Sequence, residues 1–120
     1  MMTLVKRFLI WLFAVILLIT GVNHILNPEM YGAFIPDWMP PIAVNYFVGS
    51  IEFVLGTLLL IARYRSAAAL CVLLLMIFFL PFHVVDACRV HPAIGSPLVA
   101  YIRLLLQFVL ILWAWYLRRK

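Results

Sequence analysis

Four long apolar stretches, separated by short polar segments, form the dominant pattern along the chain. They cover residues 8–26, 43–62, 66–87 and 98–117. Each is close to the roughly 20 residues that a helix needs to cross a bilayer. Because no strand-type alternation remains outside them, the pattern predicts an all-α integral membrane four-helix bundle. Residues 1–120 then form a single transmembrane domain.

The connections between these stretches carry the charges that orient the helices. With an even number of spans, three basic segments lie on one side and contain seven basic residues and no acidic one: Lys6, Arg7, Arg63, Arg65, Arg118, Arg119 and Lys120. Lys and Arg are enriched in the cytoplasmic segments of membrane proteins. We therefore expect both termini to be cytoplasmic.

The connection after the first stretch begins with the signals of a short helix. Asn27 is suited to the N-cap, Pro28 to the first helical position and Glu29 to the first turn. We expect a short interfacial helix through about residue 34, lying over the mouth of the bundle. Tyr31 and Trp38 are suited to the membrane–water interface, where such rings are enriched.

Composition agrees with a chain surrounded by lipid. Hydrophobic residues make up 68% of it and charged residues 11%, whereas soluble domains average about 25% charged residues. A soluble globular domain is therefore excluded. The net charge of +5 does not indicate nucleic acid, because the basic residues lie in short clusters between apolar runs. The expected partner is the lipid bilayer.

Seven polar side chains interrupt the apolar stretches, in their outer halves or at mid-depth: Asn23, His24, Glu52, His83, Asp86, Arg103 and Gln107. Such residues are costly in a bilayer and usually face a bundle interior. Gly49 and Gly56 share a helix face with Glu52, and small residues allow helices to pack closely. We expect the seven polar residues to form one ligand-binding site, with Glu52 and Arg103 as an ion pair.

Three kinds of ligand suit this set of side chains to different degrees. His24 and His83 lie at equal depth, but two histidines alone give a haem little support. Glu52 with both histidines has the right ligand types for a metal but no compact motif, so we expect no metal site. A quinone or similar amphipathic ligand needs apolar walls and a few polar groups, which these side chains supply.

The order and spacing of several segments resemble the DoxX family of small four-helix membrane proteins. The matching segments are Gly21-Val22-Asn23-His24 followed by Pro28, the prolines between 36 and 41, Gly49-x-x-Glu52-x-x-x-Gly56, and Arg103-x-x-x-Gln107 followed by Trp113-Ala114. This chain has Leu105 and His83 where the family tends to have a proline and an asparagine. The resemblance implies a bundle in the bacterial inner membrane, and some relatives are subunits of a thiosulfate:quinone oxidoreductase.

These observations favour a membrane subunit that holds a quinone or similar amphipathic ligand for a redox protein partner. A second hypothesis is a non-catalytic assembly or packing protein, in which buried polar pairs keep the helices in register. A third is a small solute or proton pathway. The sequence leaves open whether the chain is an enzyme and whether it forms a homo-oligomer.

Overall fold

The computed structural model describes residues 2–119 and contains four long helices joined by short connections. They are α1 (Leu4–Leu26), α2 (Pro41–Leu60), α3 (Arg65–Ala87) and α4 (Pro97–Arg118), with a 3₁₀ helix, Pro28–Phe34, between α1 and α2. Residues 2–119 contain no strand. Each of the four helices is long and apolar enough to cross a membrane. The predicted all-α class and the number of candidate spans are confirmed.

Side-chain caps set the starts of two helices. The Thr3 hydroxyl accepts a hydrogen bond from the Lys6 N–H (3.1 Å), so α1 begins four residues before the apolar stretch. The Ser96 hydroxyl accepts from the Val99 N–H (3.3 Å), and Pro97 occupies the first position of α4. Proline is suited there because the first helical N–H groups have no partner within the helix.

The end of α2 is fixed by a side chain from the next helix. Arg65 donates from Nε to the Leu59 carbonyl (2.8 Å) and from Nη2 to the Leu60 carbonyl (3.2 Å). These carbonyls belong to the last turn, where no helical N–H follows to satisfy them. The helix therefore ends at Leu60, two residues before the end of the predicted stretch.

The four helices form a flattened bundle with dimensions of 48 × 28 × 18 Å. Its main contacts are between α1 and α2 and between α3 and α4, while α1 and α4 touch little. Glycines bring the backbones of α1 and α2 together. A Cβ atom on Gly49 would lie 2.6 Å from the Gly21 carbonyl oxygen, and one on Gly21 would lie 2.7 Å from the Gly49 oxygen. This close approach determines which α1 side chains reach α2.

The interior differs in chemistry between its two halves. An apolar core fills the half at which α1 begins, which we call the basic end: Ile10, Phe13, Ala14, Leu17, Leu55, Leu59, Ala68, Ala69, Val72, Leu73, Met76, Leu110, Ala114 and Leu117. Buried polar side chains occupy the other half, which we call the polar half, and include Asn45, Glu52, Asp86 and Gln107. The predicted placement of the polar residues away from the basic end agrees with this division.

The outside of the bundle is also apolar. Large hydrophobic side chains on the outer faces of all four helices are exposed, among them Phe8, Ile19, Phe47, Leu74 and Leu112. Water-soluble monomers rarely expose contiguous apolar surface on this scale. The surface is consistent with a multi-pass membrane protein.

The connection between α1 and α2 contains a short helix at the predicted place. Pro28 occupies its first position and Glu29 its first turn. Asn27 occupies the N-cap position as predicted, but its side chain makes no capping bond and donates instead to Asn23 Oδ1 (2.8 Å). Trp38, in the segment that leads to α2, is 82% exposed.

Candidate functional site

Glu52 lies near the middle of α2 and is only 4% exposed. Its Oε2 accepts a hydrogen bond from the Thr20 hydroxyl (2.5 Å), and its Oε1 lies 3.5 Å from His24 Nε2. Thr20 and His24 are one turn apart on α1 and therefore share a helix face. The carboxylate thus joins α1 to α2 beside the glycine contact.

Asn45 fixes the orientation of the His24 ring. The buried Asn45 amide donates from Nδ2 to the carbonyls of Pro41 (2.8 Å) and Pro28 (3.2 Å), which leaves Oδ1 as the acceptor. His24 Nδ1, 2.8 Å from that oxygen, must then carry a proton and donate it. The His24 Nε2 atom faces Glu52, so the two side chains can hold a further proton between them. We call Thr20, His24, Asn45 and Glu52 the Glu52 network.

The 3₁₀ helix covers this network from the end opposite the basic end. Tyr31 stacks on the His24 ring with centroids 3.7 Å apart. Its hydroxyl accepts a hydrogen bond from Asn23 Nδ2 (2.6 Å). Asn23 Oδ1 accepts a hydrogen bond from the Asn27 side chain. Asn23 therefore links α1 both to Tyr31 and to the residue that precedes the 3₁₀ helix. Tyr31 therefore serves as the cover of the site, a role beyond the membrane anchoring expected from the sequence.

A groove on the outer side of α1 leads to the same network. It has a volume of about 490 Å³, and we call it the lateral groove; it is lined by Leu18, Ile19, Thr20, Val22, Asn23, Leu26 and Phe53. Five of these side chains are apolar, and the polar ones are Thr20 and Asn23. Because the Thr20 hydroxyl donates to Glu52, the lateral groove is one hydrogen bond away from the buried carboxylate.

A second polar network joins α3 to α4. Arg103 donates from Nη1 to Gln107 Oε1 (3.0 Å), and Gln107 donates from Nε2 to the Met76 carbonyl (2.7 Å). Gln107 is fully buried. A Gln107 side chain without these partners would leave polar atoms unsatisfied in the bundle. We call Arg103, Gln107 and the Met76 carbonyl the Arg103 network.

The predicted ion pair between Glu52 and Arg103 is wrong. Within residues 2–119 the ion-pair partner of Glu52 is His24, and Arg103 is bonded to Gln107. The physical reason is the close approach of α1 to α2, which brings His24 and Thr20 to the carboxylate first. The Glu52 network and the Arg103 network therefore have no direct bond between them.

His83 and Asp86, both on α3, have separate surroundings. His83 makes an edge-on contact with Phe34, with ring centroids 5.7 Å apart. Asp86 is buried and accepts from the backbone N–H groups of Ala93 (2.6 Å) and Ile94 (3.4 Å), with Arg89 Nη1 at 3.4 Å. The hydrogen bonds of Asp86 hold the connection between α3 and α4 and do not enter the Glu52 network.

The sequence prediction missed three members of the site. Asn45 lies seven residues before Glu52, which places both on one face of α2, and Thr20 lies four residues before His24 on α1. These spacings could have found both residues. Tyr31 had no comparable signal, because its position depends on how the 3₁₀ helix folds back over α1. Within residues 2–119 no group of three or more His, Cys, Asp or Glu side chains could hold a metal ion.

Comparison with known proteins assigns a family. Residues 13–118 match the model of a domain of unknown function, DUF8561. The chain belongs to the DUF8561 family. The matched range contains all the residues of both polar networks, so the candidate site lies within the DUF8561 domain. No curated protein and no solved structure matches the chain. The resemblance of this DUF8561 member to the DoxX family stays a prediction.

Proposed function

We propose that this DUF8561 member is a multi-pass protein of the bacterial inner membrane, with both termini cytoplasmic, that binds a quinone or similar amphipathic ligand for a redox protein partner. One observation carries the proposal. The lateral groove reaches the buried Glu52 carboxylate through the Thr20 hydroxyl. An apolar surface groove with a polar connection to an ionisable interior is what such a ligand requires.

The lining of the lateral groove suits both parts of an amphipathic ligand. Leu18, Val22 and Phe53 offer apolar contacts to a hydrocarbon tail that enters from the bilayer. Asn23 Nδ2 can donate to a carbonyl oxygen of a head group, whereas the Thr20 hydroxyl donates its one proton to Glu52 and presents acceptor lone pairs to the ligand. Because the groove faces the lipid side of α1, such a ligand would not need to pass through water. The DoxX resemblance, with its quinone-linked relatives, supports the same ligand class.

The Glu52 network can hold a proton next to the lateral groove. His24, Glu52 and Thr20 form a continuous line of polar atoms that ends at the groove. A quinone that accepts electrons also takes up protons, and positioned carboxyl and imidazole groups are suited to deliver them. The electrons would come from the redox partner, and this chain would bind the ligand and supply the proton path.

A second candidate function is that of a non-catalytic assembly or packing protein. It is favoured by the hydrogen bonding of the Glu52 and Arg103 networks, whose buried polar groups are satisfied by the protein itself. Among the described residues, the one buried side-chain nitrogen or oxygen without a hydrogen-bond partner is Trp113 Nε1, which lies in neither network. Polar networks of this kind hold helices in register without any ligand.

Thermal unfolding in a neutral detergent, with and without decylubiquinone, tests the proposal. We expect decylubiquinone to raise the midpoint of wild-type unfolding and to have no such effect on Thr20→Val. The matched control is Thr57→Val, because Thr57 is exposed on α2 and bonds only to the Phe53 carbonyl. Thr57→Val should respond like the wild type. Equal shifts in all three proteins, or none in the wild type, would favour the packing function.

A further inference from the structure

A second cavity lies at the basic end, away from the Glu52 network. It has a volume of about 580 Å³ and is bounded by the start of α1, the turn between α2 and α3, and the end of α4. Four cationic side chains line it: Lys6, Arg65, Arg118 and Arg119. We call it the basic cavity. The residues come from three separate segments of the chain, so the fold has brought their charges together.

No Asp or Glu side chain within residues 2–119 neutralises these charges. The sequence has four acidic residues, and all lie elsewhere: Glu29 and Asp37 in the connection before α2, Glu52 within α2, and Asp86 at the far end of α3. The ion pairs found among residues 2–119 are those of His24 with Glu52 and Arg89 with Asp86. The basic cavity therefore has a positive potential without an internal counter-charge.

Backbone and aromatic groups hold two of the four cations in place. The Lys6 ammonium donates to the Arg119 carbonyl and lies 5.3 Å from the centre of the Tyr116 ring. The Arg65 guanidinium, bonded to the Leu59 and Leu60 carbonyls, is fixed at the end of α2. An Arg side chain has five N–H donors, so Arg65 retains donors beyond these contacts. Lys6 and Arg65 are therefore positioned before any anion arrives.

We propose that the basic cavity binds a phosphate group, and that this phosphate belongs to the headgroup of an anionic phospholipid. Lys and Arg are the usual donors to phosphate oxygens. Basic pockets between helices on the cytoplasmic side of a membrane are suited to anionic lipid headgroups. Met2 and Ile10 add apolar contacts beside the cations, which suit the first carbons of a lipid better than a free ion. The inference rests on the proposed span of the bilayer and not on the proposed quinone.

Unfolding midpoints in a neutral detergent, measured against added dioleoylphosphatidylglycerol, dioleoylphosphatidylcholine or inorganic phosphate, test this inference. We expect phosphatidylglycerol to raise the midpoint and the other two to leave it unchanged at the same concentration. In Lys6→Gln/Arg119→Gln the concentration of phosphatidylglycerol for a half-maximal shift should rise by about 5-fold per charge removed, or about 25-fold in total. Arg65 is left intact because it also ends α2.

The matched control is Arg7→Gln/Arg63→Gln, which removes the same charge from the basic end outside the lining of the cavity. It should keep the wild-type response to phosphatidylglycerol. Equal weakening in both double variants would overturn the site, because the effect would then be one of general surface charge. A shift with inorganic phosphate alone that Lys6→Gln/Arg119→Gln abolishes would overturn the lipid as the source and assign a free phosphate.

The two ligand proposals fail separately. Thr20→Val should lose the response to decylubiquinone and keep the response to phosphatidylglycerol. Lys6→Gln/Arg119→Gln should show the reverse, because the basic cavity and the lateral groove share no lining residue. Loss of both responses in either variant would overturn the independence of the two sites and with it the assignment of the basic cavity.

Discussion

Glu52 is the residue on which the candidate site depends. A charged side chain near the middle of a membrane span costs at least about 2.5 kcal/mol. Glu52 offsets that cost with a hydrogen bond from Thr20 and an ion-pair contact to His24. Both partners come from α1, so the pairing of the carboxylate is also a contact between two helices. A change at any of these three residues should therefore alter stability as well as ligand binding.

The first prediction is that His24 and Glu52 are energetically coupled. In a double-mutant cycle with His24→Gln and Glu52→Gln, we expect a coupling of about 1 kcal/mol or more, in the range of interhelical polar contacts in membrane proteins. The control cycle pairs Glu52→Gln with Arg103→Gln, which make no direct bond, and should be additive within about 0.5 kcal/mol. Unfolding in detergent measures both. A larger coupling to Arg103 than to His24 would contradict the observed pairing.

The second prediction concerns Asp86, whose oxygens accept from the Ala93 and Ile94 N–H groups. Asp86→Ala should lower the free energy of unfolding by about 1–3 kcal/mol, because it leaves these donors without an acceptor. Asp86→Asn keeps one acceptor oxygen and should lose less. Asp37→Ala, at an exposed position, should stay within about 0.5 kcal/mol of wild type. A shift in quinone response without loss of stability in Asp86→Ala would instead place Asp86 in the ligand site.

The residue types of the site were predictable, and their pairing was not. The free-energy cost of a polar side chain in the bilayer was enough to identify Glu52, His24, Arg103 and Gln107, because polar groups within apolar stretches need partners. The choice of partner depends on which helix lies beside α2 and how each helix is rotated. Periodicity fixes the face of one helix but not its neighbour, so Glu52 could face either α1 or α4 from sequence alone. The structure decides for α1.

The positions of the helices could be predicted from the sequence more accurately than the contacts within the site. Their positions are set by apolar length, which the sequence shows directly. Their ends are set by individual contacts, such as the Thr3 cap of α1 and the Arg65 contacts at the end of α2. Close packing of helices at the small residues was expected from the sequence, but not that α1 packs on α2 with Gly21 opposite Gly49. That register decides the position of His24.

The third prediction tests this register. Gly49→Ala should destabilise the bundle by about 1–3 kcal/mol, because the new Cβ would lie 2.6 Å from the Gly21 oxygen and 2.9 Å from His24 Cβ. The Gly21 oxygen belongs to the backbone and cannot move aside by a side-chain rotation, so α1 and α2 must separate. Gly32→Ala is the matched control, since a Cβ there meets nothing within 4 Å. Equal stability of the two variants would mean that the helices do not approach as closely as described.

The site should respond to the same change. If α1 and α2 separate, His24 and Glu52 move apart, and the response to decylubiquinone should weaken in Gly49→Ala even at temperatures at which the protein is folded. The free energy of unfolding and the decylubiquinone response are therefore expected to fall together. Gly32→Ala should keep both. An unchanged decylubiquinone response in a destabilised Gly49→Ala would separate the ligand from the Glu52 network.

At the scale of the whole molecule, charge and polarity differ between the two ends of the bundle. The basic end contains the apolar core and carries the cationic cavity, and the polar half contains the Glu52 and Arg103 networks. The acidic residues Glu29 and Asp37 lie in the connection beyond the polar half. A bundle with this order has different surfaces for its two sides of a membrane, and the positive side is expected in the cytoplasm.

The last prediction is therefore the orientation. A reporter fused after Lys120 should be active if it works only in the cytoplasm. The same reporter inserted after Gly95, an exposed glycine with φ of 140° in the connection between α3 and α4, should be inactive. A reporter that works only in the periplasm should give the opposite pattern. The structure places the α3–α4 connection and the basic end at opposite ends of the helices, so the two fusions must differ if the chain spans the bilayer. The same signal from both would rule out a span between them, and a reversed pattern would place the basic cavity outside the cell.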